Sequence, residues 1–144
     1  MVSSIPPPLS RVAPRRPRIL LVDDDPSVIR GLLRTLRNAR PEFQINTAES
    51  GGRAVKALAE LTYDVVVTDL QMPGGTGVGV LEALCASYPE TARIVHSSQL
   101  ESAEAPRLRE LAHVVLAKPA SEAELVAAID LALERANNRL FRAG

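Results

Sequence analysis

Cysteine occurs once in this 144-residue chain, as Cys85, and tryptophan does not occur at all. A lone cysteine excludes an internal disulfide and a thiolate metal cluster, and it fits a reducing cytoplasm better than an oxidising compartment. Aromatic residues make up 3% of the sequence, as Phe43, Tyr63, Tyr88 and Phe141. That is too few to build stacking platforms for nucleic-acid bases. No apolar run approaches the roughly 20 residues that a membrane-spanning helix needs. The N-terminus lacks the apolar stretch of a secretory leader. An excess of one charge is also lacking, since 17 Lys and Arg balance 17 Asp and Glu. A neutral chain has no overall attraction to nucleic acid or to an anionic membrane. What remains, 46% hydrophobic and 24% charged residues, is the make-up of a globular domain with room for one core.

Proline is concentrated at the start, as Pro6, Pro7, Pro8, Pro14 and Pro17. With no apolar periodicity around them, residues 1–17 are expected to be a disordered tail. Arg11, Arg15 and Arg16 make it basic. A solubilising extension is the expected role, rather than an arm for nucleic acid or lipid. Residues 18–137 are expected to form one domain. Residues 138–144 are then a short tail or the start of a linker.

Within the domain, strand-like and helix-like segments alternate. Strands are expected at 18–22, 43–47, 64–68, 93–97 and 113–116. Helices are expected at 26–40, 52–61, 76–88, 101–111 and 121–137, from apolar residues at helical spacing such as Val28, Ile29, Leu32, Leu33 and Leu36. The helix at 101–111 is weakened by Pro106 inside it. Val65-Val66-Val67 runs without alternation, the pattern of a parallel strand buried on both faces. Five βα units predict an α/β fold, a doubly wound parallel sheet with helices on both faces and right-handed crossovers. Ligands in such folds bind outside the carboxyl ends of the strands.

Those ends carry the chemistry. Asp23, Asp24 and Asp25 follow the first strand, Asp69 follows the third, Ser97 ends the fourth, and Lys118 follows the fifth, before Pro119. Each has a plain structural explanation on its own. Asp25 before Pro26 is a helix cap, Asp69 could cap the turn through Pro73-Gly74, and Ser97 and Lys118 could be strand-end surface groups. Their coincidence at successive strand ends argues for one shared job. Clustered carboxylates repel unless a cation or a proton is held among them. Oxygen ligands suit Mg²⁺, lysine and a hydroxyl suit phosphate oxygens, and a carboxylate beside a metal can act as a nucleophile. His96 and His113 have no partner at helical spacing, so a histidine metal site is not expected. Cys85 lies on an apolar helix stripe and is expected in the core.

These motifs resemble the receiver domain of bacterial two-component response regulators, over about residues 18–137. Ile19-Leu20-Leu21-Val22-Asp23-Asp24-Asp25 is similar to the first-strand acidic motif of that family. Asp64-Val65-Val66-Val67-Thr68-Asp69 is similar to its phosphoacceptor strand. Gly77, Ser97 and Lys118-Pro119 fall at its remaining marker positions. The resemblance implies a flavodoxin-like sheet of strand order 2-1-3-4-5, with the Lys118–Pro119 peptide bond cis. It implies that Asp69 accepts a phosphoryl group from a histidine kinase or phosphotransfer protein. Mg²⁺ would be held by Asp24, Asp69 and the backbone carbonyl of Gln71, with Asp23 acting through water. Lys118 and Ser97 would contact the phosphoryl group. It further implies a cytoplasmic signalling module, not an enzyme beyond its own phosphorylation and dephosphorylation, that can dimerise or join an output domain. The stretch Ile94–Gln99 with His113 and Lys118-Pro119 is similar to receivers attached to HD-related output domains. Val115 stands where the family often has an aromatic switch residue, and Gln71 and Gln99 occupy positions that help set the lifetime of the phosphoryl group.

Two other readings compete. Asp23, Asp25 and Ser27 match the nucleophile motif of a haloacid-dehalogenase-like phosphatase, although the acidic pair that motif needs after the lysine is missing. A degenerate receiver that only binds a partner is the third. Against it stand the repulsive carboxylates, which a pure scaffold has no need to retain.

Overall fold

A strand with no polar face must be covered on both sides, so the valine run at 65–67 demands a sheet between two helical layers. The computed structural model describes residues 16–72, 75–98, 100 and 105–143, without the side chains of 72, 75–77, 105 and 136–143. The tail through Arg15, Pro73-Gly74, Gln99 and residues 101–104 lie outside this description. The elements run β1 (Arg18–Val22), α1 (Pro26–Ala39), β2 (Gln44–Ala48), α2 (Gly51–Glu60), β3 (Val65–Thr68), β4 (Gln71–Met72) and β5 (Gly75–Thr76). They continue with α3 (Gly77–Ser87), β6 (Ala92–Ser97), α4 (Ala105–Leu111), β7 (Val114–Ala117) and α5 (Glu122–Ala143). Five strands form a parallel sheet in the order β2-β1-β3-β6-β7. Counted along the chain, that is the expected order 2-1-3-4-5.

Alternate residues of each strand feed opposite layers. Ile19, Leu21, Val65, Val67 and Ile94 pack against Ile29, Leu32 and Leu36 of α1 and Leu125 and Ile129 of α5. Leu20, Val22 and Val66 pack against Ala54 and Leu58 of α2 and Val80 and Leu84 of α3. Leu70 and Val95 join α3 to α4 through Val78, Leu81, Leu108 and Leu111, with Cys85 and Val115 against them. Helix starts follow local chemistry. Asp25 accepts the Ser27 N–H at 2.9 Å ahead of Pro26, and Ser50 accepts the Arg53 N–H at 3.1 Å. Ser121 and Glu124 form a reciprocal capping box for α5, at 2.9 and 3.1 Å. An Arg40–Asp130 ion pair joins the end of α1 to α5.

Most element ends fall within one residue of the sequence reading, and two regions differ by more. The segment after Asp69 is not a plain loop: β4 and β5 pair as a short antiparallel ribbon leading into α3. Helix α4 is described over Ala105–Leu111 and contains Pro106, as expected, with residues 101–104 outside the description. Helix α5 continues past Asn137 to Ala143, because no proline or glycine interrupts it before Gly144.

Ile129 is fully buried between α5 and the sheet. Ile129→Ala is expected to cost about 2–5 kcal/mol of unfolding free energy, read from urea unfolding followed by circular dichroism.

Candidate functional site

In a parallel sheet every strand ends at the same edge, so residues that follow the strands meet there. Val22 pairs with Thr68, and Thr68 with Val95. The next residues are therefore neighbours across the strands: Asp23, Asp69 and His96. The ladder continues one step further through the Asp23 N–H to Ala48 O at 3.1 Å and the Asp69 N–H to Val22 O at 3.0 Å. This backbone pairing holds two carboxylates side by side at the sheet edge.

Asp23 is 2% exposed and Asp69 6%. Asp24, one residue on, is exposed to solvent. Ligand-capable oxygens of Asp23, Asp24 and Asp69 all lie within 4.8 Å of one another. Lys118, entering from the β7–α5 connection, places Nζ 2.7 Å from Asp23 Oδ2 and 3.2 Å from Asp69 Oδ2. Backbone amides take the other oxygens: Asp25 N–H donates to Asp23 Oδ1 at 2.9 Å, and Leu70 N–H to Asp69 Oδ1 at 2.7 Å. Burial pulls the Lys118 ammonium down, but hydrogen bonds and charge from Asp23 and Asp69 together outweigh it and raise its pKa. The stability this lysine contributes is complete below its ordinary value of 10.5 and is lost only as pH climbs through the raised one.

Ser97 is fully buried at the end of β6, and its carbonyl accepts the Lys118 N–H at 3.0 Å. The Lys118–Pro119 peptide bond is cis. Gln71 begins β4, two residues beyond Asp69. Asp25 stands outside the carboxylate group because it caps α1. The Asp23–Asp25 arrangement of the phosphatase motif therefore does not form, and Asp24 and Asp69 stand with Asp23 instead. Sequence reading missed His96, which is 5% exposed and in line with Asp69 on the adjacent strand. Only the register, which a single sequence does not show, reveals that alignment.

The carboxylates fit a hard divalent cation: the donors are all oxygen, converge from two strand ends, and outnumber the one ammonium beside them. Neutralising Asp24 relieves repulsion without breaking a contact to Lys118. With chelator present, Asp24→Asn is expected to stabilise the fold by about 1 kcal/mol, measured by thermal unfolding.

Comparison with known proteins gives the same reading. A family model described as the response regulator receiver domain matches residues 19–130. The transcriptional regulatory protein PrrA of Mycobacterium leprae is 37% identical over 122 residues, which are 83% of this chain and 51% of that protein. A protein-glutamate methylesterase/protein-glutamine glutaminase of Myxococcus xanthus is 33% identical over 127 residues, 88% of this chain and 33% of that protein. The chain thus spans between a third and about half of the length of these relatives. Among solved structures, the signal receiver domain of an HD domain-containing protein from Pseudomonas fluorescens superposes with a TM-score of 0.82 at 26% identity, covering 91% of this chain and 96% of that one. The response regulator protein TrrA of Thermotoga maritima, in complex with Mg²⁺ and BeF, gives a TM-score of 0.73 at 28% identity, covering 81% and 99%. Among the described residues no helix is long and apolar enough to cross a membrane. With its sheet order, its acidic edge and a family match across most of its length, the chain belongs to the response regulator receiver domains, the aspartate-phosphorylated modules of two-component signalling.

Proposed function

We propose that Asp69 is the phosphoacceptor of this receiver and that a histidine kinase or a phosphotransfer protein is its donor. The observation that carries this reading is the Lys118 ammonium, shared between Asp23 and Asp69 at the sheet edge. Asp69 Oδ1 is engaged by the Leu70 amide, which leaves Oδ2, beside the ammonium, as the attacking oxygen. The new bond joins that oxygen to phosphorus. The bond that breaks is the phosphorus–nitrogen bond of the donor phosphohistidine, whose imidazole leaves and takes up a proton. Lys118 moves from neutralising carboxylates to neutralising the incoming phosphoryl oxygens, so its charge is already in place when the transfer begins. Ser97, tied to Lys118 through the backbone, supplies a hydroxyl for one of those oxygens.

Mg²⁺ would be held by Asp24, Asp69 and the backbone carbonyl of Gln71, with Asp23 acting through water. When bound, the cation supplies charge neutralisation for the transferring group. Attack by water on the acyl phosphate reverses the state, and we assign the chain no other turnover. The cytoplasm is the compartment this role requires. The matched HD-associated receiver favours an output carried by a domain or partner of that type.

With Mg²⁺ and a small phosphodonor such as acetyl phosphate, the protein is expected to form one acid-stable, hydroxylamine-labile phosphoryl adduct, seen by intact mass. Asp69→Asn should abolish it while leaving the melting temperature at or above the parent value. Unchanged labelling of Asp69→Asn would reject Asp69 as acceptor. An unlabelled parent protein would support the binding-only reading.

A further inference from the structure

His96 sits beside the proposed acceptor without belonging to the set described above. It follows Val95 as Asp69 follows Thr68, and it pairs in register with Leu116 of β7. It lines a cleft of about 380 Å³ between α1 and the β7–α5 connection, together with Val28, Leu32, Lys118, Pro119 and Leu125. The residue is 5% exposed. Nε2 accepts the backbone N–H of Ala120 at 3.4 Å, so in the neutral ring the proton resides on Nδ1. That atom is buried and has no hydrogen-bond partner among the described residues. Burial chiefly, and then the Lys118 charge, lower the His96 pKa, against the opposing pull of Asp23 and Asp69. The ring is therefore held neutral, with an acceptor lone pair toward Ala120.

A buried donor without an acceptor destabilises the fold, and a leucine in the same space would avoid that cost. What the histidine provides instead lies in the segment it touches. Lys118, Pro119 and Ala120 are gripped at two points, and both grips come from consecutive residues of β6. The Ser97 carbonyl holds the Lys118 N–H at 3.0 Å, and the His96 ring holds the Ala120 N–H. Between them hangs the side chain whose Nζ bridges Asp23 and Asp69.

We infer that His96 is a positioning residue for Lys118: it fixes the backbone after the lysine so that the ammonium stays over the acceptor carboxylate, at the expense of an unsatisfied ring N–H. This rests on the phosphoryl-acceptor reading of the site. It acts through the lysine and does not itself touch the transferring group.

The test compares the full chain with His96→Leu and His96→Gln. Beryllofluoride binding in the presence of Mg²⁺ is titrated by ¹⁹F NMR, and melting temperatures are measured without ligand. His96→Leu is expected to melt at or above the parent temperature while binding beryllofluoride about tenfold more weakly. His96→Gln, whose carboxamide oxygen can accept the Ala120 N–H, should recover most of the lost affinity. A merely structural histidine would move melting and binding down together. The inference is overturned if His96→Leu binds like the parent, if it is destabilised or fails to fold, or if His96→Gln recovers nothing. A parent protein that binds no beryllofluoride would reject the acceptor reading and this inference with it. A parent that binds, with His96→Leu unchanged, rejects the inference alone.

Discussion

Like charges held at one edge by a parallel sheet need a counter-charge, and here Lys118 provides it. The sheet leaves no freedom to spread the carboxylates apart: Asp23 and Asp69 are adjacent because Val22 and Thr68 are paired. Both are almost fully buried, where the attraction and repulsion of charges are stronger than in water. Each is held the same way, with one oxygen on a backbone amide and the other on the same ammonium. Two carboxylates against one ammonium leave a net negative charge at the edge. Asp24 lies within ligand distance of the pair and has solvent beside it, so the site remains open on one side to a cation or an anionic group.

The sheet was legible in the sequence because burial on both faces writes a strong signal. Val65-Val66-Val67 and Leu20-Leu21-Val22 leave no polar face, and only a covered parallel sheet accommodates that. The functional edge was legible for the same reason, since once the strands are located their ends are located too. Asp25 could be separated from its neighbours by Pro26 alone, and its hydrogen bond to Ser27 agrees. Less was readable where structure depends on contacts distant in sequence. The β4–β5 ribbon has strands of two residues each, too short for any periodicity. The Arg40–Asp130 pair joins residues ninety positions apart, and charged residues on helix faces carry no label naming their partner.

His96 illustrates the limit most sharply. Read along the chain, it is a polar interruption in an apolar strand, next to a serine that already had a role. Read across the sheet, it stands one strand from Asp69 and directly beneath the connection that delivers Lys118. The difference is register, and register arises from backbone pairing rather than from residue type. The site is therefore composite: its ionic members announce themselves at strand ends, while the groups that orient them come from positions that look like core.

The site also meets the apolar interior at one defined point. Asp69 Oδ1 accepts the N–H of Leu70, and the Leu70 side chain is fully buried among Val78, Leu81, Val95, Leu108 and Leu111. Val115 packs against the same cluster as an aliphatic residue, with no ring whose rotation could report on the site. Reaction at Oδ2 leaves that hydrogen bond in place, and a buried amide that lost it would cost about 1–3 kcal/mol. The acceptor carboxylate is therefore tied through Leu70 to the layer formed by α3 and α4, so its orientation and the packing of that layer depend on each other.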